Sequence, residues 1–240
     1  MAAPAFRSLT TVTDATAANI TGTDPAGAAE NDILRADLYL ESDTAVTPPA
    51  GWSNDFAGVP ALAESNTASQ EFRHYAYWIR RGASAPALTW THASAYRGIT
   101  IQAFSGAVTT EDPWSFLDNN VRDDTTAETY PDASGTTDTD DELLTWGGRF
   151  YTASSNGNTP PTGFAERQDG TGTAALLADN AQAAAGATGT VTGALFDTAA
   201  NHPASSIMAG LKSVAAPPAL ADAIPSSFAK FPKVKLRYAD

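Results

Sequence analysis

Apolar and polar positions alternate strictly through several stretches of the chain. In the run from His74 to Ile79, Tyr75, Tyr77 and Ile79 fall on one face. From Ala87 to Thr91, Leu88 and Trp90 point together with threonines opposite. From Gly98 to Phe104, Ile99, Ile101 and Ala103 alternate with Thr100, Gln102 and Phe104. A period of two predicts half-buried antiparallel strands, here joined by short turns such as the loop Arg80 to Pro86. Further strands are expected at Leu143 to Tyr151, Phe164 to Gln168, Thr190 to Phe196 and Ser205 to Leu211. The segment from Ala174 to Ala185 is rich enough in Ala and Leu to suit a helix. Gly186 and Gly189 interrupt it, and the matching segment of the first half is a strand, so a strand pair or loop is expected instead.

One phrase occurs twice. Thr47-Pro48-Pro49-Ala50-Gly51-Trp52 returns as Thr159-Pro160-Pro161-Thr162-Gly163-Phe164. Each copy follows an acidic-then-aliphatic strand start, Asp32-Ile33-Leu34 or Glu142-Leu143-Leu144. Proline stiffens an extended approach, glycine permits a tight turn, and the aromatic starts a new buried stretch. The pattern predicts an all-β fold, an antiparallel β-sandwich or jelly roll built from two similar halves. The halves are expected at about 5–106 and 140–212. An acidic surface loop, 107–139, would join them and carry one or two edge strands. Residues 213–240 would form a Pro-rich linker and an extended arm.

Charge divides the chain along these lines. Residues 1–227 hold 10 Lys and Arg against 26 Asp and Glu, a balance of −16, whereas 228–240 carry four cations against Asp240, a balance of +3. The acidic body should repel nucleic acid and anionic membranes. Asp outnumbers Glu, and Lys is nearly absent from the body, a composition that fits either a high-salt setting or a GC-rich genome. The first residues lack a basic segment followed by an apolar one, so they do not read as a signal peptide. No apolar run reaches the roughly 20 residues of a membrane-spanning helix. The absence of cysteine rules out disulfides and thiolate metal sites.

Chemistry-bearing motifs are sparse. His74, His92 and His202 lie far apart in sequence, with no His-Glu-x-x-His and no helical i, i+4 pair. Phe104-Ser105-Gly106 lacks the first glycine of a nucleophile elbow. Asp138, Asp140, Asp141 and Glu142 could offer oxygen ligands to calcium, but the EF-hand pattern is missing, and a solvated acidic loop is the expected reading. No cofactor is expected and no catalytic residue is assigned. Among the tryptophans, Trp114 lies in the polar inter-half segment and is the candidate for a glycan or interface contact, weighed against a role capping the sandwich. In the arm, Phe228, Phe231 and Leu236 alternate with Lys230, Lys233, Lys235 and Arg237. Such a segment can add to a neighbour's sheet edge or lie in an acidic groove. Burial of its apolar side chains at roughly 25 cal/mol per Å² would supply most of the docking energy, and the cations would steer it.

The order of motifs carries a resemblance. Asn31-Asp32-Ile33-Leu34, the first Thr-Pro-Pro phrase, the Tyr75–Trp78 strand and Arg81-Gly82-Ala83-Ser84 come first. Leu88–Thr91 and Ile101–Gly106 follow, then the second phrase, Ala184–Gly189 and Ile207–Lys212. Together they resemble a β-sandwich module common in structural proteins of tailed bacteriophages and related viruses, over roughly residues 5–212. The resemblance implies a non-enzymatic virion protein: a capsid decoration, spike or minor tail protein on the particle surface, assembled in the host cytoplasm. Its partners would be other virion proteins and further copies of itself. The alternative is a receptor- or glycan-binding module at a tail tip, with a host surface glycan as partner. A hydrolase on a jelly-roll scaffold is the weakest reading, for want of any organised histidine or nucleophile motif.

Overall fold

The computed structural model describes residues 3–14, 18–67, 70–93, 95–123, 129–150, 158–170, 175–195 and 203–214. Among these there is no helix, and the chain is an antiparallel β-sandwich. In the first half the strands are β1 (Ala5–Asp14), β2 (Asn19–Thr21), β3 (Ile33–Leu40), the short hairpin β4 (Asp55–Phe56) and β5 (Val59–Pro60), then β6 (Leu62–Thr67), β7 (Gln70–Arg80), β8 (Thr89–Thr91) and β9 (Arg97–Ser105). The second half contributes β10 (Trp114–Arg122), β11 (Thr136–Thr137), β12 (Glu142–Phe150), β13 (Ala165–Gly170), β14 (Ala175–Gln182), β15 (Gly186–Ala187) and β16 (Ala204–Leu211).

Each half builds its own five-stranded sheet. The orders are β1-β9-β3-β7-β6 and β10-β16-β12-β14-β13, the same permutation twice. Local details repeat as well. A bulge falls between Phe6 and Ser8 in β1 and between Trp114 and Phe116 in β10. The bulged side chain reaches the acidic strand start in both copies: Arg7 bonds Asp32, and Ser115 donates to Glu142. Left-handed residues precede these acids, Asn31 at φ 70° and Asp141 at φ 59°. Asn and Asp tolerate that region better than other non-glycine residues. The doubled phrase makes the same turn each time. Trp52 N donates to Pro49 O and Phe164 N to Pro161 O, around Gly51 at φ 86° and Gly163 at φ 85°. This is a type II turn, which demands a positive φ at its third position.

The described residues of the inter-half segment include an edge strand, as expected, and the two-residue β11. Strand β10 pairs with β16 at the edge of the second sheet and is the counterpart of β1. The second half therefore starts at Trp114 rather than near residue 140. Ala175–Gln182 is a strand, as its first-half counterpart indicated. The strand expected at 190–196 is not a ladder: within its described part, Val191 and Ala194 form isolated bridges with Ala133, Thr129 and Thr159.

The sheets stack face to face with β3 over β12. Each sheet's edge strand lies along the opposite edge of the other. Asn119 of β10 donates to the carbonyls of Pro60 and Leu62 beside β6, at 3.0 and 2.9 Å. Gln168 of β13 accepts from Thr11 of β1 and Thr100 of β9, at 3.0 and 2.9 Å. The halves are thus related by a pseudo-twofold axis, like the protomers of an isologous dimer joined in one chain.

The outer faces are also covered. Leu34, Ala36, Leu38, Tyr77, Ile99 and Ile101 pack outward under Ile20, Trp52 and Trp90. Leu144, Trp146, Leu176 and Met208 pack under Tyr130, Ala133, Phe164 and Val191. Every residue of β3, β12 and β16 is buried. Half-buried strands were the expectation, and here it fails. The alternating polar residues face the other sheet rather than water.

Candidate functional site

Between the sheets lies an apolar zone at one end and a polar one beyond it. Ile33, Phe56, Phe104, Trp114, Leu143, Ile207 and Leu211 make up the first. The polar zone is centred on Arg35 and Asp37, alternate residues of β3 that share the inner face. Asp37 holds the Arg35 guanidinium in a two-point grip, Oδ1 to Nη2 at 2.8 Å and Oδ2 to Nε at 3.0 Å. Arg35 also donates to Thr145 Oγ1 at 2.7 Å and to the carbonyls of Thr145 and Ile207 at 3.1 Å each. Arg149 crosses in the other direction, donating to the Asp37 carbonyl at 2.9 Å. Space for this comes from Gly147, where a Cβ would stand 2.8 Å from Asp37 Oδ1 and 3.2 Å from Arg35 Nη2.

His74 completes the group. Its Nε2 lies 3.2 Å from Asp37 Oδ1 and its Nδ1 3.1 Å from Ser205 Oγ. An ionised carboxylate only accepts, so Nε2 carries the proton and Ser205 donates to Nδ1. Burial pulls the His74 pKa down to about 4 against the opposing pull of Asp37, and Arg149 and Arg35 add to the lowering. Burial alone would raise the Asp37 pKa, but Arg35 and the bond from His74 outweigh it and hold the carboxyl well below its usual range. Arg149 is lowered by burial to about 10, still charged at neutral pH.

Serine, histidine and aspartate in hydrogen-bonded series are the parts of a nucleophilic triad. Here Asp37, His74 and Ser205 are fully buried between the sheets. Three surface clefts are lined by other residues. Buried as it is, the series acts as a polar clamp that ties β3 and β7 to β12 and β16. In sequence, His74 is a strand residue that belongs to no catalytic or metal-binding histidine motif. The signal the sequence does carry is Arg35 and Asp37, two charges within an otherwise apolar run.

The residues singled out from sequence are placed differently. Trp114 is not exposed: at 1% relative accessibility it packs against Phe56 and Trp78, with ring centroids at 4.6 and 6.3 Å. It fills the apolar end of the inter-sheet space because β10 is a strand of the second sheet, so no sugar can stack on it. Phe228, Lys230, Phe231, Lys233, Lys235, Leu236 and Arg237 lie outside the described residues, as does His202. In the acidic stretch, Glu142 is buried rather than solvated. Its Oε1 accepts from Asp138 N, Thr139 N and Thr139 Oγ1, which folds the preceding turn onto the strand start. Among the described residues, no group of three or more His, Cys, Asp or Glu is placed to hold a metal ion.

Two of the clefts are related by the pseudo-twofold axis, each below one of the repeated glycine turns. The first, about 610 Å³, is lined by Gly51, Asp55, Trp78, Arg80, Glu111 and Asp112 among others. The second, about 360 Å³, has Gly163, Asp179, Arg167, Phe6 and Pro4 in its wall. Trp78 is the one half-exposed tryptophan; Trp52, Trp90, Trp114 and Trp146 are buried. No protein-family model, curated protein or solved structure matches the chain.

Proposed function

We infer that the chain is a structural module of a tailed-virus particle, an acidic sandwich displayed outward and docked on capsid or tail by its C-terminal arm. The observation that carries this reading is the segregation of charge, −16 over residues 1–227 against +3 over 228–240. Between body and arm lie the proline-rich residues 213–227. An acidic body stays soluble and resists unspecific association, while a short basic-apolar segment supplies steering and buried surface for one partner. The order of sequence motifs over residues 5–212 supports the viral setting.

The last described strand, β16, sits between β10 and β12, and Ser213 bridges to Ala107 just beyond it. Truncation after Ala216 therefore removes no described strand. The truncated protein should melt at the same temperature as the full chain yet be missing from purified particles. Unimpaired incorporation would refute arm docking. The receptor-binding alternative loses Trp114 as its contact surface and would need another.

A further inference from the structure

The first-half cleft and its second-half counterpart share a scaffold but differ in what fills them. In the second, Asp179 stands where the first has Trp78. Its carboxylate binds Arg167, with Nη2 to Oδ1 at 2.8 Å, and the guanidinium lies 4.5 Å from the centroid of the Phe6 ring. The protein's own ion pair and ring contact occupy that wall. In the first cleft, among the described residues, no ion pair or ring contact of this kind closes over Trp78. Its indole Nε1 donates to the Asp55 carbonyl, and one edge packs toward Trp114, so the ring is held rigidly with its remaining surface in the cleft wall.

We propose that the Trp78 cleft is a binding site for a neutral saccharide. A pyranose ring has an apolar C–H face and a rim of hydroxyls. It suits a site with one fixed aromatic surface and a few convergent polar groups. Asp55, Glu111 and Asp112 supply carboxylate acceptors for the hydroxyl rim, and Arg80 supplies donors. Two of these groups are already positioned. Asp112 Oδ1 accepts from Trp114 N at 3.0 Å, and Arg80 Nη2 donates to the Glu111 carbonyl at 3.3 Å. A volume of about 610 Å³ lies within the range of small-ligand sites, roughly 300–1,000 Å³. Three carboxylates against one guanidinium would repel uronic and sialic acids, which restricts the ligand to uncharged sugars. The proposal does not depend on the C-terminal arm.

The test uses the full chain and a panel of neutral disaccharides with their uronic-acid counterparts. Binding is followed by saturation-transfer NMR and by intrinsic fluorescence, which reports ligand contact at Trp78 because the other four tryptophans are buried. The expected result is saturable binding of at least one neutral disaccharide and none of the acidic ones. Asp55→Ala and Glu111→Ala should each weaken it about tenfold, the loss of one charge-assisted hydrogen bond, at unchanged melting temperature. These exposed residues can be altered without touching the core, so a loss of binding is not a loss of fold. No binding across the panel, a preference for the acidic sugars, or binding indifferent to both substitutions would overturn the proposal.

Discussion

Replacing Asp37 by Asn tests the polar clamp most directly. The substitution keeps shape and removes one charge. In the native protein that carboxylate takes both contacts from Arg35 and one from His74, all at complete burial. With Asn, one of the two oxygens becomes an NH₂ group facing a guanidinium donor, and the buried Arg35 guanidinium loses the carboxylate that pairs with it. Leaving a buried charge without its partner costs about 3–5 kcal/mol. For a domain of this size each kcal/mol lowers Tm by roughly 2–4 °C, so the melting point should fall by roughly 6–20 °C. Urea unfolding followed by tryptophan fluorescence gives the free energy directly. A double-mutant cycle with Arg35→Gln isolates the pair, and a coupling above about 1 kcal/mol is expected because the residues are in contact. A single-mutant loss below about 1 kcal/mol, or additive behaviour in the cycle, would show that the clamp is not what joins the sheets at this end.

The remaining predictions concern the same interior. His74 is neutral when folded and titrates near 4, against about 6.5 in the unfolded chain. The unfolded state therefore binds more protons between those values, so the stability His74 contributes is complete above about pH 6.5 and is lost as pH falls through about 4. The span is roughly 3 kcal/mol, and His74→Gln should flatten the pH dependence of urea midpoints in that window. Asp37, also depressed, loses its contribution at still lower pH, below the usual carboxylate range. Gly147→Ala forces a methyl to within 2.8 Å of Asp37 Oδ1 and 3.1 Å of Leu177 Cδ2, and should cost about 1–3 kcal/mol by chemical denaturation. Trp114→Ala should cost about 3–5 kcal/mol by opening a cavity beside Phe56. Trp114→Phe should cost much less, because the indole N–H has no hydrogen-bond partner to lose.

The strands and the duplication were legible in the sequence because both are written in short-range patterns. The faces of Tyr75, Tyr77 and Ile79, and of Ile99, Ile101 and Ala103, are those the alternation indicated. The repeated phrase marked equivalent turns. What alternation does not encode is the environment of the polar face. Thr100, Gln102 and Arg35 occupy positions that solvent-facing residues would also occupy, and only the partner sheet makes them interior. The same gap explains Trp114. Its polar neighbours, Asp112 and Ser115, suggested a loop, but both serve the start of β10, Asp112 by holding the Trp114 amide and Ser115 by reaching Glu142. The clamp has no local signature because its members come from four strands spread between residues 35 and 205.

The pseudo-twofold axis restricts which halves can pair. Residues at equivalent positions meet one another across it: Arg35 touches Thr145, and Asp37 lies over Gly147. Two copies of the first half could not pair in this way, since Asp37 would meet Asp37 and Arg35 would meet Arg35, with no glycine to make room. At these positions the two halves are complementary rather than alike. Each half fits the other at this seam better than it would fit a copy of itself, and linkage in one chain keeps the matching pair together.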